Sequence, residues 1–344
     1  MANITVAPVT PVGGSYAAVG GTYNGSAVTG ASYSGTFIPT LWSAKLNAKF
    51  YAASTFADIC NRDWEGDVSN LGDKVVINNI PDITISDYVV GGNLSYQTPR
   101  PNAIELAVDR AKYYAFNVSD VLDYQAKPDL MNLFADDASQ QMRVVIDSTC
   151  LYRNFNQGVA ANRGATAGAK SGAYNLGTDA SPIQLTGNNV LQKILEMASV
   201  LDEQNVPDSG RWLVLDPTTR TLLMQSNLAQ AQFMGDDKSI VRNGLIGTID
   251  RFKIYVSNQL PFAAANATVW TSGYGDETSV AATTNANRRR AIIAGHTSAI
   301  AFASQMTKTE QLRNPTDFGD LVRGLQVFGH KVVKPESLSL MVAY

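Results

Sequence analysis

Apolar residues recur at spacings of three and four along Leu130, Phe134, Ala138, Met142, Val145, Ile146 and Thr149. That stripe predicts one long helix from Pro128 to Phe155, with the proline in the first turn, where its missing N–H costs nothing. Asp136, Asp137, Gln140, Gln141, Arg143 and Asp147 lie largely off the stripe and are expected to face water. At ~1.5 Å per residue such a helix is about 42 Å long. A second stripe, Val190, Leu191, Ile194, Leu195, Ala198 and Leu201, predicts a helix that stops before Pro207. A shorter one, Trp42, Leu46, Phe50 and Ala53, predicts a helix from about Thr40 to Cys60, followed by the charged turn N-R-D-W-E-G-D.

The period changes to two between Gly72 and Ser119. Val75 to Ile77 read as one strand, Ile83 and Ile85 alternate with polar neighbours, and Ile104, Leu106 and Val108 do the same. Gly91–Gly92 and the Pro99/Pro101 pair supply turns. The segment therefore reads as a long hairpin, which is marginal alone and needs a surface to lie on. Residues 156–187 are rich in Gly, Ala, Asn and Ser and read as a loop or domain boundary. After the second helix, R-W-L-V-L (211–215) reads as a buried strand, and Asp216–Pro217 as a helix cap with proline at the first position. Ile254, Val256, Val269 and Ala291–Ile293 mark further strands, and Lys308 to Tyr344 is mostly β. The strand–helix alternation makes the fold class α/β or α+β.

Charge sharpens this picture. The 344 residues carry 27 Lys+Arg and 30 Asp+Glu, a net charge of −3, yet the first charged residue is Lys45. An uncharged arm of 44 residues, with few large apolar side chains, cannot build its own core. Two parts of the chain, the arm and the hairpin, thus call for burial on neighbours, and that combination predicts an assembly protein. The balance of charge disfavours sequence-independent nucleic-acid binding. Cys60 and Cys150 are far apart, with no Cys/His cluster, and read as buried thiols rather than a disulfide or zinc site. The most apolar stretch, Ala291 to Met306, is too short and interrupted to span a bilayer. The start of the sequence lacks the basic and apolar regions of a secretory signal.

Candidate chemistry is sparse, and no catalytic, cofactor-binding or metal-ligating residue is assigned. G-A-T-A-G-A-K-S (164–171) falls one glycine short of a phosphate loop, because Ala169 precedes Lys170, and no apolar strand leads into it. His296 and His330 lack a carboxylate or second ligand in sequence reach and read as structural. Asp216 reads as a cap rather than a base. Arg288–Arg290 read as a solvated turn or a subunit contact. Trp42, Trp64, Trp212 and Trp270 are dispersed, as core or interface anchors are.

In order and spacing, F-I-P-T-L-W-S (37–43), N-R-D-W-E-G-D (61–67), L-G-D-K-V-V-I (71–77) and V-P-D-S-G-R-W-L-V-L-D-P (206–217) resemble the major capsid proteins of tailed bacteriophages. So do G-T-I-D-R-F-K-I-Y-V-S-N-Q-L-P (247–261), A-G-H-T-S-A-I-A-F-A (294–303) and G-L-Q-V-F-G-H-K-V-V (324–333). The resemblance implies an HK97-like fold. Its parts would be an N-terminal arm (1–44), a short helix and turn (45–71), an extended hairpin or E-loop (72–117), and a P-domain spine helix with its connecting loop (118–187). An α/β A-domain (188–305) and C-terminal P-domain strands (306–344) would complete it. It implies a structural, non-enzymatic protein that self-assembles as hexamers and pentamers into an icosahedral head around double-stranded DNA, in the host cytoplasm. The implied partners are a separate scaffolding protein, a portal and decoration proteins, with no cofactor and no membrane. Charge placement within that plan makes Arg100, Asp109 and Arg110 candidates to pair with Arg313, Asp317, Asp320 and Arg323 on neighbouring subunits. Lys74 and Lys112 lie near the base of the hairpin, which does not suit covalent cross-linking of the shell. The competing expectations are an encapsulin-like cellular nanocompartment and an α/β enzyme using residues 164–172.

Overall fold

The computed structural model describes residues 22–23, 26–27, 55–64, 74–81, 83–87, 90–91, 93, 96–120, 130–226, 248–316 and 318–344. The chain divides into two compact units, Met1–Leu46 and Asn47–Tyr344. In the first, Thr22–Tyr23 (β1) pairs antiparallel with Ser26–Ala27 (β2). The rest of the uncharged arm, and residues 40–54 of the predicted first helix, lie outside the described residues.

The second unit is organised by a six-stranded sheet. Its elements are Arg211–Leu215 (β6), Thr248–Ile249 (β7), Phe252–Val256 (β8), Phe262–Ala263 (β9), Arg289–His296 (β10) and Leu338–Ala343 (β13). The order is β13-β10-β6-β8-β7, with β9 on β10; only β6 and β8 are parallel. Period-two alternation divides its side chains between two cores. Leu213, Leu215, Ile292, Ala294, Met341 and Ala343 pack with Val190–Glu203 (α3) and Leu223. Trp212, Val214, Ala291, Ile293, Leu338, Leu340 and Val342 pack on the other face with Met142, Ile146, Cys150 and Leu151 of the long helix. Pro217–Met224 (α4) starts as the sequence predicts, with the Asp216 carboxylate accepting from the Thr218 N–H at 3.1 Å.

The long helix, Leu130–Asn154 (α2), has 25 residues. Its burial deepens along its length: Phe134 is half exposed, whereas residues 146–152 are buried on every side. Asp147 departs from the expected solvent face. It is 1% exposed and accepts from the backbone N–H groups of Thr55 (3.1 Å) and Phe56 (2.6 Å), the first turn of Phe56–Ile59 (α1). A four-residue helix with unsatisfied amides buried against α2 needs an acceptor there, and Asp147 supplies it.

A three-stranded antiparallel sheet carries Arg110–Ser119 (β5), Ile300–Arg313 (β11) and Gly319–Val332 (β12), in the order β11-β12-β5. A separate hairpin joins Lys74–Asn79 (β3) to Asn102–Ala107 (β4), from Lys74↔Ala107 to Asn79↔Asn102. The sequence expectation ran the hairpin to residue 117. Instead the ladder stops at Ala107 and β5 pairs with β12, because Leu106 and Val108 turn inward onto Ala301, Ala303 and Val327. The chain crosses β12 at Gly329, where a Cβ would stand 2.3 Å from the Ala107 carbonyl oxygen. Residues Ile83–Asp87, expected as strand, carry no ladder: the Gln97 side chain accepts from the Thr84 N–H and donates to its carbonyl, both at 3.1 Å.

Two further expectations change. Residues 156–187 do not separate domains. Ala167, Leu176 and Leu185 are buried in the α3 core, and bridges from Arg163 to Leu340 and from Ile183 to Ala343 cover the outer edge of β13. The tail is not one unit either, since β13 joins the six-stranded sheet while β11 and β12 form the other. Its six residues are buried on both faces, which only the central sheet can provide.

Candidate assembly surfaces

Beyond the β3–β4 ladder the hairpin arm, within residues 80–101, shows apolar side chains to solvent. Ile80, Ile85, Val90 and Tyr96 are each about nine-tenths exposed and Ile83 is 65% exposed. Isolated exposed leucines or valines are ordinary on protein surfaces, but a run of this kind on one projecting segment marks an interaction site.

The base of the arm is fastened by charge. Arg110 reaches Glu277 at 3.7 Å and Asp109 at 3.9 Å, Arg153 donates to Glu277 at 2.5 Å, and Lys112 meets Asp276 at 3.0 Å. One acidic loop thus holds three cations from β5 and α2. Burial alone would raise the Asp276 carboxyl, but hydrogen bonds from Ser272 and Lys112 bring it below its ordinary value. His330 lies beside this cluster on β12, its Nδ1 3.1 Å from Asn154 Oδ1. Burial, reinforced by nearby Arg110, holds its pKa down to about 4.

The other charged candidates gather at the far end of the three-stranded sheet. Arg313 binds both carboxylate oxygens of Asp120, with one contact at 2.9 Å, and lies 3.3 Å from Asp320; the hydrogen bonds to Asp120 raise its pKa. Arg323 donates from Nε to Glu310 at 2.8 Å. Arg100 is exposed on the return limb of the arm, with no ion pair among the described residues, and Asp317 lies outside them. Within one chain, then, the structure brings Asp109 to Arg110 and Arg313 to Asp320, and keeps these two groups apart. The partners Asp120, Glu277 and Glu310 carried no sequence signal, because each is set opposite its cation only by strand register or loop closure.

The stretches with candidate chemistry serve the fold. In the near-phosphate loop, the amides of Lys170 and Ser171 donate to Glu203 Oε2 at 2.8 and 3.1 Å. Those amides, first that of Lys170, lower the Glu203 pKa. The loop does form an anion cradle around Gly168 (φ +111°), and the chain's own carboxylate occupies it. The arginine run is exposed at Arg288 but not at the residues that follow. Arg289 is fully buried on Asp179 (2.5 Å), Arg290 binds Asp216 and lies 2.7 Å from Thr218 Oγ1, and Arg288 stacks 4.6 Å from the Phe262 ring centroid. His296 donates from Nε2 to the Ser209 carbonyl at 2.8 Å and accepts at Nδ1 from the Ser298 N–H at 3.1 Å. Cys60 and Cys150 are buried thiols outside any disulfide, and burial pushes the Cys150 thiol well up. Trp212 and Trp270 are core residues and Trp64 packs at the arm's base; Trp42 lies outside the described residues. Among the described residues no group of His, Cys, Asp and Glu could hold a metal, and no helix is long and apolar enough to cross a membrane.

Comparison with known proteins decides what this architecture is. A family model described as phage capsid protein matches residues 104–338, more than half of the chain. The chain belongs to the phage capsid protein family. Solved capsid structures share its fold. A structure from Mycobacterium phage Che8 has 24% identity and a TM-score of 0.66, with 89% of this chain and 97% of that one covered. The capsid of cyanophage P-SCSP1u has 16% identity and a TM-score of 0.64, with 90% and 93% covered. The mature capsid of bacteriophage PhiM1 has 16% identity and a TM-score of 0.60, with 88% and 90% covered. No curated protein matches the sequence. The fold is therefore the HK97-like α+β fold, and the capsid protein is a structural component of the head shell of a tailed phage, located in the virion capsid. Copies of it build that shell by self-assembly. None of these comparisons favours the nanocompartment alternative.

Proposed function

We propose that the capsid protein assembles in the host cytoplasm as hexamers and pentamers that close an icosahedral shell around double-stranded phage DNA. A separate scaffolding protein and a portal take part in assembly, and decoration proteins join the finished head. The role is non-enzymatic. The observation that carries this reading is the apolar hairpin arm, which has no cover among the described residues in a chain that belongs to a capsid family. The net charge of −3 gives the chain little electrostatic hold on phosphate backbones, in keeping with a wall that encloses DNA without sequence-specific binding. In this reading residues 1–44 are the N-arm and 45–71 the short helix and turn. The E-loop begins at 72, α2 is the P-domain spine, and the six-stranded sheet with α3 and α4 is the core of the A-domain.

Arg100, Asp109, Arg110, Arg313, Asp317, Asp320 and Arg323 are proposed as interface residues. Arg313 and Arg323, with side chains 57% and 60% exposed, keep enough open surface to meet a second carboxylate between subunits. Electron microscopy of the purified protein, with and without scaffold, tests the central claim: closed shells are expected, and a monomer under every salt and scaffold condition overturns it. Arg323→Glu should impair assembly while the monomer loses at most about 1 kcal/mol, the range of exposed ion pairs. Normal shells from that variant remove Arg323 from the interface.

A further inference from the structure

At one end of the six-stranded sheet the carboxyl ends of β6 and β8 meet the start of β10. β6 and β8 are the parallel pair, and open sheets place ligand sites just outside such ends. β6 runs into Asp216, β8 runs into Ser257 and Asn258, and Arg288 and Arg290 flank the first residue of β10. These five residues, with Phe262, line a cavity of about 190 Å³. A neighbouring cavity of about 280 Å³ shares Asp216, Arg288 and Arg290 with it.

The lining carries donors that the chain leaves unused. Arg288 lies over the Phe262 ring and makes no hydrogen bond or ion pair among the described residues. Arg290 spends Nη1 on Asp216 and on Thr218 Oγ1 (2.7 Å), while its Nε and Nη2 have no partner among them. Ser257 is 2% exposed; its hydroxyl accepts from the Gln259 N–H at 3.1 Å, and its own O–H finds no acceptor among the described residues. The Asn258 side chain makes no hydrogen bond there either. The one carboxylate in the lining is already spent: Asp216 accepts from the Thr218 N–H at 3.1 Å, from the hydroxyls of Thr218 and Thr219, and from Arg290. Two guanidinium groups against one carboxylate leave an excess of positive charge. A buried O–H without an acceptor is costly, and an acceptor placed in the cavity recovers that cost.

We propose that this cavity binds inorganic phosphate, held by Arg288 and Arg290 together with the Ser257 hydroxyl and the Asn258 amide. The donors come from two strand ends, which suits an anion with several oxygens; a planar carboxylate is satisfied by one guanidinium fork. Size agrees, because pockets for drug-sized ligands run to about 300–1,000 Å³, so this cavity suits an ion better than a nucleotide. A single site without a basic stripe is also too little to hold a DNA backbone. Bound phosphate would tie the end of β8 to the start of β10 and steady that end of the sheet. The proposal goes beyond the shell reading and does not rest on it.

The test is calorimetric titration of the purified full-length protein with inorganic phosphate, in a buffer free of other oxyanions. Saturable binding of one phosphate per chain is expected, with a rise in melting temperature. Because Arg288 is exposed, Arg288→Gln should leave melting without phosphate unchanged. It should weaken binding at least about tenfold, the loss of a charge-assisted hydrogen bond, and abolish the phosphate-dependent rise. Arg288→Lys should restore part of the affinity, and Arg323→Gln, at an exposed arginine elsewhere, should bind as the unsubstituted protein does. Absence of saturable binding, or equal binding by Arg288→Gln, overturns the proposal. Acetate binding as tightly as phosphate would make the cavity a carboxylate site and overturn it as well. So would a duplex oligonucleotide that displaces phosphate from the unsubstituted protein, since the site would then belong to nucleic acid.

Discussion

The central sheet and the projecting arm are written in the same alphabet of alternating Ile, Val and Leu, yet their side chains meet opposite fates. In β6 and β10 each odd and even position enters a different core, and Trp212, Leu213, Ile292 and Ile293 are all at most 3% exposed. On the arm Ile83 and Ile85 alternate just as cleanly and remain in water. The difference is the cover. The sheet has α3 on one face and α2 on the other, whereas the arm's cover is not among the described residues of the same chain. An alternating pattern therefore announces a buried face without saying which molecule buries it.

The strongest way to break this comparison is to truncate one residue on each side of it. Trp212→Ala should cost about 3–5 kcal/mol in urea unfolding, as large-to-small changes in packed cores do. Ile85→Ala should change monomer stability by less than about 0.5 kcal/mol, as exposed substitutions do. Equal losses would mean that the arm is as much part of the folded monomer as the sheet is.

Acid gives the next largest effect, and it acts where the two regions join. Burial holds His330 at about 4, against an ordinary value of 6.5. Between those values the unfolded chain takes up a proton that the folded chain does not, so stability falls on acidification. The loss through this window should reach about 3 kcal/mol and level off below it. His330→Gln should remove most of that slope in unfolding midpoints measured from pH 7 to pH 4. A remainder is expected from His296, whose pKa burial also lowers. An unchanged slope would show that His330 is not held neutral in the folded chain.

A smaller change separates the arm's base from its tip. Gly329→Ala should destabilise the monomer by about 1–3 kcal/mol, the range of overpacking, because the Ala107 backbone occupies the space. The smallest concerns the Gly168 cradle. Glu203→Gln should speed hydrogen exchange at the Lys170 and Ser171 amides while the rest of the sheet stays protected, and titration with ATP and magnesium should still release no heat.

Much of the central architecture could be read from periodicity, because there the burying partner lies in the same chain. The α2 stripe, the α3 stripe, the R-W-L-V-L strand and the Asp216 cap all follow from local rules. Asp147 could not be read that way: its place on the helix says water, and only the contact with α1, 91 residues away, says otherwise. The burial of Arg289 is out of local reach for the same reason, since Asp179 is 110 residues away. The end of the hairpin is not legible because β4 and β5 are one alternating run, and the switch of partner at Asp109 is a tertiary event. Of the interface candidates, Asp109 and Asp320 do lie against Arg110 and Arg313, whereas the carboxylates of Asp120, Glu277 and Glu310 are brought up only by register and loop closure.

The last strand of the central sheet has a consequence for how the protein is made. β13 pairs along β10 and lends side chains to both cores, though it follows β6 by more than a hundred residues. A nascent chain still short of Ala343 has α3 and β6 in place but lacks the strand that lines both sides of the sheet. Contacts so distant in sequence form late. An interrupted translation product therefore has an unfinished sheet, and a half-made subunit is poorly equipped to enter a growing wall and spoil it.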